Sequence, residues 1–141
     1  MYTQRLNVRF DDVDYAQIVY FPRLFGYCHW VFEDFFGKET KQSYAELLVK
    51  KRIGFPTVHS EADFKHPLRF GDVCRVEMET VKLGTSSLTN RYRLCLGESR
   101  KVCAEVQLVH VATQMDTFKA LTIPEDIRVA FLNHLHGYTS A

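Results

Sequence analysis

Three aspartates within four positions mark the part of this 141-residue chain that could do chemistry. Asp11, Asp12 and Asp14 lie between a strand-like segment and the start of an amphipathic helix. A carboxylate beside a helix N-terminus can act on a carbonyl as an acid-base group or a nucleophile, and the free N–H groups of the first helical turn can hold the oxyanion. The alternative is an N-cap, a position at which helices favour aspartate. One aspartate suffices for a cap, so the surplus favours a reactive site.

The segment DVDYAQIVYFP at positions 12–22 resembles the signature of hot-dog-fold acyl-CoA thioesterases of the 4-hydroxybenzoyl-CoA thioesterase type. That signature reads Asp-x-Asp-x-x-Gly, followed by Ile/Val-Val-Tyr/Trp-Tyr/Phe. One position departs from it, because Gln17 stands where the family usually has glycine. Glycine adopts backbone conformations that glutamine resists, so either this loop tolerates a side chain or the site is altered.

Further matches to the family follow in order along the chain. The family's central helix, second strand and tight turn correspond to residues 21–36, 55–59 with 63–64, and 71–72. The set Cys28, His29 and Glu33 also resembles the 1,4-dihydroxy-2-naphthoyl-CoA hydrolase branch. The resemblance covers roughly residues 3–125, and it rests on the order and spacing of short motifs.

The resemblance implies roles for two residues in thioester hydrolysis. Asp14, the second aspartate of the motif, corresponds to the residue that either activates water or attacks the acyl carbon, and the sequence does not choose between these routes. The matching oxyanion donor is the backbone N–H of Phe21, since Pro22 has none. Asp11 and Asp12 are interpreted as a strand end, a turn cap or orienting neighbours. The absence of a G-x-S-x-G elbow argues against a serine hydrolase of that type.

Four residues are candidates for contacts with the substrate. Gln17 either offers its side-chain amide to the carbonyl of the thioester or faces solvent. Tyr20 favours an aromatic acyl group, unless it belongs to the core. His29 lies two helical turns beyond Phe21, where it meets a polar group of the acyl moiety or is a partly buried structural histidine. His59 is a candidate pocket residue through the resemblance of its strand.

Coenzyme A carries phosphates, for which Arg91 and Arg93 on one strand face are the predicted binding residues. The alternative is a solvated strand face, where cations are common. His59, Glu61 and Asp63 also share one strand face, and a solvated surface explains them better than a metal site. No metal site is therefore predicted.

Length and composition predict a single domain over residues 1–141 with an adequate core. The formal net charge of +1 gives no hint of a nucleic acid partner. No apolar run approaches the length of a membrane span, and the first residues lack a signal-peptide core, so a cytoplasmic location is expected. The cysteines lack metal-like spacing and are expected to be buried free thiols: Cys28, Cys74, Cys95 and Cys103.

The elements that position these residues follow from hydrophobic periodicity. Alternation over residues 2–10 predicts a half-buried strand. Apolar residues spaced i, i+3, i+4 and i+7 from Phe21 predict a long helix that ends at Gly37 and is apolar enough for a sheet to wrap around it. Ser43 and Glu46 have capping-box spacing, which predicts a second, short helix.

The rest of the chain is mostly strand. Strands are predicted near residues 58–64, 73–81, 88–96 and 102–113. A last helix is predicted to start near 122–126, with Ile127, Phe131 and Leu135 on its apolar face. Long strands in hairpin succession imply an antiparallel sheet. One long helix against such a sheet is an α+β arrangement, in agreement with the hot-dog fold that the resemblance implies.

These features predict an acyl-CoA thioesterase that acts on an aromatic or medium-length acyl group without a cofactor. The alternative from another class is a non-catalytic module that binds acyl-CoA or acyl-carrier protein, which the departure at Gln17 leaves open. Exposed sheet edges invite pairing, and hot-dog domains resemble one another in dimerising edge to edge. A homodimer or homotetramer with a shared site is therefore expected.

Overall fold

One long helix lies against an antiparallel sheet of five strands in the computed structural model of this chain. The structure describes residues 1–137, so the last four residues of the predicted domain 1–141 lie outside the described part. The helices are α1 (Phe21–Glu39), α2 (Tyr44–Lys50) and α3 (Glu125–Leu132). The strands are β1 (Tyr2–Asn7), β2 (Ile53–Gly54), β3 (Thr57–Phe64), β4 (Val73–Leu83), β5 (Ser87–Leu96), β6 (Val102–Val111), β7 (Thr113–Gln114) and β8 (Lys119–Ala120).

The main sheet has the strand order β1-β4-β5-β6-β3, and each neighbouring pair is antiparallel. Strands β4, β5 and β6 follow one another as hairpins, as the turn signals predict. Strand β3 precedes them in the chain but pairs with β6, which places it at an edge. The predicted α+β arrangement of the hot-dog fold is confirmed.

Helix α1 buries one face against the sheet because its apolar residues recur every three or four positions. The buried residues of this face are Leu24, Tyr27, Cys28, Val31, Phe32, Phe35 and Phe36. The helix is less enclosed than the sequence predicts, since Phe21 is 55% and Trp30 48% exposed. The exposed part of α1 lies at its first turn and along its outer side.

The predicted stop of α1 at Gly37 is wrong. The helix continues through Glu39, and the Thr40 hydroxyl then donates to the Phe36 carbonyl at 2.6 Å. Gly37 has no positive φ, so it does not supply the left-handed cap that glycine often gives. A side chain that satisfies a terminal carbonyl has replaced the glycine cap.

The predicted capping box of α2 is confirmed. The Glu46 N–H donates to the Ser43 hydroxyl at 3.1 Å, and the Ser43 N–H donates to the Glu46 carboxylate at 3.4 Å. The predicted strand at 102–113 is broken, because β6 ends at Val111 and β7 turns away to pair with β2. Strands β2, β7 and β8 form a separate three-stranded sheet.

Alternate residues of the central strands face α1 or the outer surface, as the pleat requires. The inward residues of β4 and β5 include Cys74, Val76, Met78, Leu88, Tyr92 and Leu94. The prediction for the four cysteines is confirmed, since all are buried free thiols. Burial raises the pKa of Cys74 to about 12 and that of Cys103 to about 11, which keeps both thiols protonated.

The two edges of the main sheet are covered to different extents. Strand β1 pairs with β4 only as far as Met78, and residues 134–136 continue along the same edge. There the Thr80 N–H donates to the His134 carbonyl at 3.0 Å, and the His136 N–H donates to the Thr80 carbonyl at 2.7 Å. At the opposite edge, seven of the eight residues of β3 are exposed.

Candidate active site

The aspartate cluster lies on a short hairpin between β1 and α1. A single 3-10 turn, Phe10–Asp12, replaces the end of the predicted first strand. Val13 and Val19 then form an antiparallel bridge. Inside the bridge, the Asp14 N–H donates to the Ile18 carbonyl at 3.0 Å. Asp14 is therefore held at the point where the chain reverses direction.

Gln17 explains why glycine is usual at this place in the family signature. Its N–H donates to the Asp14 carbonyl at 2.9 Å, which closes a tight turn. Gln17 follows that turn with a φ of 66°, in the left-handed region that favours glycine. Such a residue returns the chain to the second arm of a hairpin. The loop tolerates a side chain here, which is the first of the two alternatives that the departure from glycine left open.

The Asp14 side chain is exposed. Its Oδ1 accepts a hydrogen bond from the Ala16 N–H at 2.9 Å, which fixes the carboxylate relative to the turn. Nothing among residues 1–137 forms a hydrogen bond or ion pair with the second oxygen. That oxygen is available to a water molecule or to an acyl carbon.

The first turn of α1 follows directly after this hairpin. The Tyr20 N–H donates to the Asp12 carbonyl at 2.9 Å, whereas the Phe21 N–H has no acceptor in the described part of the chain. Tyr20 is the N-cap but contributes no side-chain hydrogen bond, and the first turn contains no acidic residue. The positive end of the helix dipole is therefore open, which suits it to an oxyanion.

Asp12 is buried behind the hairpin, with only 2% exposure. Its carboxylate accepts hydrogen bonds from the Tyr27 hydroxyl at 2.6 Å, the Arg9 N–H at 2.9 Å and the Arg23 guanidinium at 3.4 Å. Burial, together with the bond to Asp12 and its charge, raises the pKa of Tyr27. Asp11 is exposed and lies 4.0 Å from the Arg23 guanidinium. Of the interpretations given above, Asp12 fits that of an orienting neighbour.

Two open clefts flank the hairpin. The larger has a volume of about 860 Å³ and contains Asp14 and Gln17 in its wall. Aromatic rings of Phe10, Tyr15 and Phe70 form much of the rest, and Phe10 meets Phe70 edge to face with ring centres 5.7 Å apart. This cleft gives a large molecule direct access to the Asp14 carboxylate.

The smaller cleft, of about 320 Å³, lies on the other side of the hairpin beside the first turn of α1. Its apolar lining includes Ile18, Val19, Phe21, Leu24, Phe64 and Leu68. The Phe64 ring meets Phe21 at 5.9 Å and Phe25 at 6.4 Å between ring centres. The sequence placed Phe64 in a match to the family's second strand but did not assign it to the site, because its contact with Phe21 joins segments that are distant in the chain.

The predicted substrate-binding residues are only partly brought together. The Tyr20 ring lies next to that of Phe21, with ring centres 5.6 Å apart. His29 lies about 12 Å along α1 from Phe21 at 1.5 Å rise per residue, and its Nδ1 is 3.3 Å from the Glu33 carboxylate. His59 is exposed on the edge strand β3. Within one chain, His29 and His59 therefore lie outside the group formed by the hairpin and the first helical turn.

Arg91 and Arg93 extend from β5 to the outer face of the sheet, away from α1. Each faces a glutamate across the ladder with β4: Arg91 forms an ion pair with Glu79, and Arg93 lies 3.5 Å from Glu77. Opposite charges on directly paired residues stabilise a sheet. The CoA-binding role of these arginines stays a prediction, and phosphate binding there has to compete with both glutamates.

His110 is a buried histidine for which the sequence gave no signal. Its ring stacks on Phe32 with centres 4.2 Å apart, and its Nδ1 lies 2.9 Å from the Phe55 carbonyl. Because a carbonyl only accepts, Nδ1 carries the proton. Burial lowers the pKa of His110 to about 4, so the neutral ring is the form that packs in the core.

The described residues were also considered as a metal site and as a membrane span. Within residues 1–137, no group of three or more His, Cys, Asp or Glu side chains is placed to hold a metal ion. His59, Glu61 and Asp63 lie along the exposed strand β3 instead. The same part of the chain contains no helix that is both long enough and apolar enough to cross a membrane.

A long helix packed on one face of a five-stranded antiparallel sheet is the architecture of the hot-dog fold that the sequence predicts. The family model described as the Thioesterase-like superfamily matches residues 8–131. This chain belongs to the Thioesterase-like superfamily. The predicted resemblance and the prediction of a thioester hydrolase are confirmed at the level of this family.

Similar proteins carry more particular names. A 1,4-dihydroxy-2-naphthoyl-CoA hydrolase of Synechococcus sp. (strain CC9311) is 30% identical over 127 residues, which cover 86% of this chain and 82% of that protein. The enzyme of the same name from Nostoc punctiforme is 26% identical over 126 residues, or 89% and 83% of the two chains.

Solved structures agree with these relatives. A 1,4-dihydroxy-2-naphthoyl-CoA thioesterase from Synechocystis superposes with a TM-score of 0.84 at 25% identity, covering 92% of this chain and 93% of the other. A gentisyl-coenzyme A thioesterase superposes with a TM-score of 0.79 at 27% identity, covering 92% and 98%. The similarity extends over nearly the whole of both folds. The hairpin and the first turn of α1 lie within residues 8–131, which the family model matches.

Proposed function

We propose that this chain hydrolyses the thioester of an aromatic acyl-CoA to the free acid and coenzyme A. The observation that carries the proposal is the fixed hairpin, which holds the Asp14 carboxylate in the loop that leads directly into α1, where the Phe21 N–H has no acceptor in the described part of the chain. The names of the similar proteins support the substrate class, since dihydroxynaphthoyl and gentisyl groups are both hydroxylated aromatic acyl groups.

Two routes are open to Asp14. As a general base, it takes a proton from water while the water oxygen attacks the acyl carbon, and the departing thiolate of coenzyme A receives that proton. As a nucleophile, its oxygen attacks the acyl carbon and expels the thiolate, and water then hydrolyses the resulting anhydride. In both routes the carbonyl oxygen becomes an oxyanion. The Phe21 N–H stabilises it, a contribution of about 3–4 kcal/mol for one well-placed donor.

The acyl group is proposed to lie in the smaller, apolar cleft beside the first turn of α1. That cleft, of about 320 Å³, is lined by the rings of Phe21 and Phe64, which meet edge to face and offer apolar surface to an aromatic group. Tyr20 lies next to this pair, with half of its surface exposed. The wider cleft in front of Asp14 and Gln17 then receives the pantetheine arm.

A homodimer at least is proposed as the working assembly, and a homotetramer stays open. Strand β3 supports this, because its exposed edge has unpaired backbone groups and carries Phe64 and Val58, which are 51% and 60% exposed. A second copy paired along β3 would cover these side chains. His29 and His59 are then candidate contacts for polar substituents of an acyl group bound between the chains, with Arg91 and Arg93 as candidates for the carrier phosphates.

The test of the proposed function is thiol release from a panel of acyl-CoA substrates. Asp14→Asn should lower kcat by about 10²–10⁴, the usual range for a lost acid-base group, while KM changes little. Asp11→Asn is the matched control, since that exposed carboxylate is within the same loop and should cost far less. An Asp14→Asn variant that hydrolyses the best substrate at the parent rate would remove Asp14 from its role.

The same panel separates an enzyme from the alternative binding module. Hydroxylated benzoyl and naphthoyl thioesters should be hydrolysed faster than medium-length aliphatic ones. Tight binding of every thioester with no thiol release would favour the module. The αL conformation of Gln17 supports the enzyme, because it is a conformation that glycine adopts readily.

A further inference from the structure

The buried carboxylate of Asp12 joins the two halves of the proposed active site. The main-chain carbonyl of Asp12 accepts a hydrogen bond from the Tyr20 N–H, one residue before the proposed oxyanion donor Phe21. Asp14 follows two residues later on the same loop. The Asp12 side chain accepts a hydrogen bond from the Tyr27 hydroxyl, in the second turn of α1. Asp12 is thus bonded both to the hairpin and to the helix.

We infer that Asp12 and Tyr27 form a positioning pair, which holds the Asp14 carboxylate at the correct distance from the Phe21 N–H. This inference rests on the proposed function of Asp14. Neither member of the pair touches the reacting atoms, since both are buried at 2% and 1% exposure. Tyr27 acts through Asp12, and Asp12 acts through the loop that carries Asp14.

The Asp12 carboxylate accepts three hydrogen bonds, one of them from Tyr27. The Tyr27 hydroxyl lies 2.6 Å from an Asp12 oxygen that also accepts the Arg9 N–H at 2.9 Å. Hydrogen bonds to a charged acceptor are short and about twice as strong as neutral ones. The other Asp12 oxygen faces the Arg23 guanidinium at 3.4 Å, which keeps the buried charge partnered. One donor, Arg9, precedes the hairpin, and the other two, Tyr27 and Arg23, lie in α1.

The Tyr27 hydroxyl is the contact that can be removed with least disturbance. Tyr27→Phe keeps the ring in the core and deletes the shorter of the two side-chain contacts that α1 makes with Asp12, while the contact from Arg23 remains. The hairpin then retains its own bridge between Val13 and Val19, so the loop remains formed but shifts relative to α1. A shift of about 1 Å in a reacting group costs up to about 100-fold in rate.

The experiment compares Tyr27→Phe with Thr80→Val in the intact enzyme. Thr80→Val is a matched control, because it also deletes a buried hydroxyl, the donor to Asn90 at 2.9 Å, and Thr80 contacts the segment near the far end of α1. Tyr27→Phe should lower kcat by about 10–100-fold with KM within about threefold. Thr80→Val should leave kcat within about twofold despite a similar fall in Tm.

A double mutant tests whether Tyr27 acts through Asp12. Asp12→Asn combined with Tyr27→Phe should lose no more kcat than Asp12→Asn alone. Additive losses, or a Tyr27→Phe variant with parent kcat, would overturn the positioning pair. So would equal losses of kcat in Tyr27→Phe and Thr80→Val, because a general loss of stability would then explain both.

Asp14→Asn measured in parallel separates this inference from the proposed function. If Asp14→Asn turns over at the parent rate, the role of Asp14 and the positioning of Asp14 are both overturned. If Asp14→Asn is inactive while Tyr27→Phe is not impaired, only the positioning pair is overturned.

Discussion

Replacing Gln17 with glycine should stabilise the fold and leave turnover intact. Gln17 has a φ of 66°, a conformation that L-residues with a side chain adopt at a cost. Its side chain is exposed and forms no hydrogen bond with any residue of the described chain, so little contact is lost with it. Glycine reaches the same conformation without strain, and the hairpin that holds Asp14 keeps its shape.

The size of the effect is the difference between two costs. The left-handed conformation costs a residue with a Cβ about 1–2 kcal/mol. Glycine in turn loses about 0.5–1 kcal/mol more conformational entropy on folding. Gln17→Gly should therefore raise the free energy of unfolding by about 0.5–1 kcal/mol, or Tm by about 3 °C for a chain of this length.

Two further variants make the measurement specific. Phe118→Gly is the matched control for stability, because Phe118 has a φ of 56°, is 67% exposed and lies between β7 and β8. Gln17→Ala keeps the strain but removes the amide, so it isolates the side chain. The assays are chemical unfolding and thiol release. The reasoning fails if Gln17→Gly destabilises the protein, or if Gln17→Ala loses more than about tenfold in kcat without a change in stability, because the amide would then take part in the reaction.

Acid should destabilise the protein through His110, whose folded pKa of about 4 is below the ordinary 6.5, so the stability present above pH 6.5 is lost as the pH falls toward 4. Between about pH 7.5 and about pH 5, the free energy of unfolding in urea should fall by about 2 kcal/mol more in the parent protein than in His110→Gln. An equal fall in both proteins would contradict the assignment. Ser43→Ala should lower the free energy of unfolding by about 1 kcal/mol through loss of the cap, and an unchanged urea midpoint would contradict this. Sedimentation at micromolar concentration should show at least a dimer, and an active, stable monomer would refute the shared site. Inactive Asp14→Asn chains mixed with chains disabled at Arg91 and Arg93 should regain activity if the site is composite, whereas verified hybrids without activity would mean that each chain holds a complete site.

Local signals in the sequence were sufficient for the elements that they control. The capping box at Ser43 and Glu46 and the apolar spacing of α1 each depend on residues three or four positions apart, and both predictions are confirmed. The end of α1 was mispredicted at Gly37, because the Thr40 hydroxyl satisfies the terminal carbonyl. A glycine in a sequence does not reveal whether another residue already performs its capping role.

In the candidate site, too, local motifs were predictable and contacts between distant segments were not. The Asp-x-Asp motif pointed to Asp14, and its loop is held in the predicted place between a strand and a helix. Phe64 and the bond between Asp12 and Tyr27 could not be read from the sequence, because they join segments that meet only after the sheet and helix pack. A strand was predicted at 58–64, but its place at the edge of the sheet, which leaves it exposed, depends on its pairing with the distant strand β6.

Residues 134–136 complete the β4 edge, so β4 cannot be fully paired until this late segment has been synthesised. A polypeptide emerges from the ribosome N-terminus first, so β4 is made long before the segment that pairs with Thr80. Until that segment arrives, part of β4 remains an unpaired strand edge, open to association with other nascent chains. Shortening the chain before His134 would make this transient state permanent, so apparently minor C-terminal deletions should reduce the yield of folded protein rather than trim an idle tail.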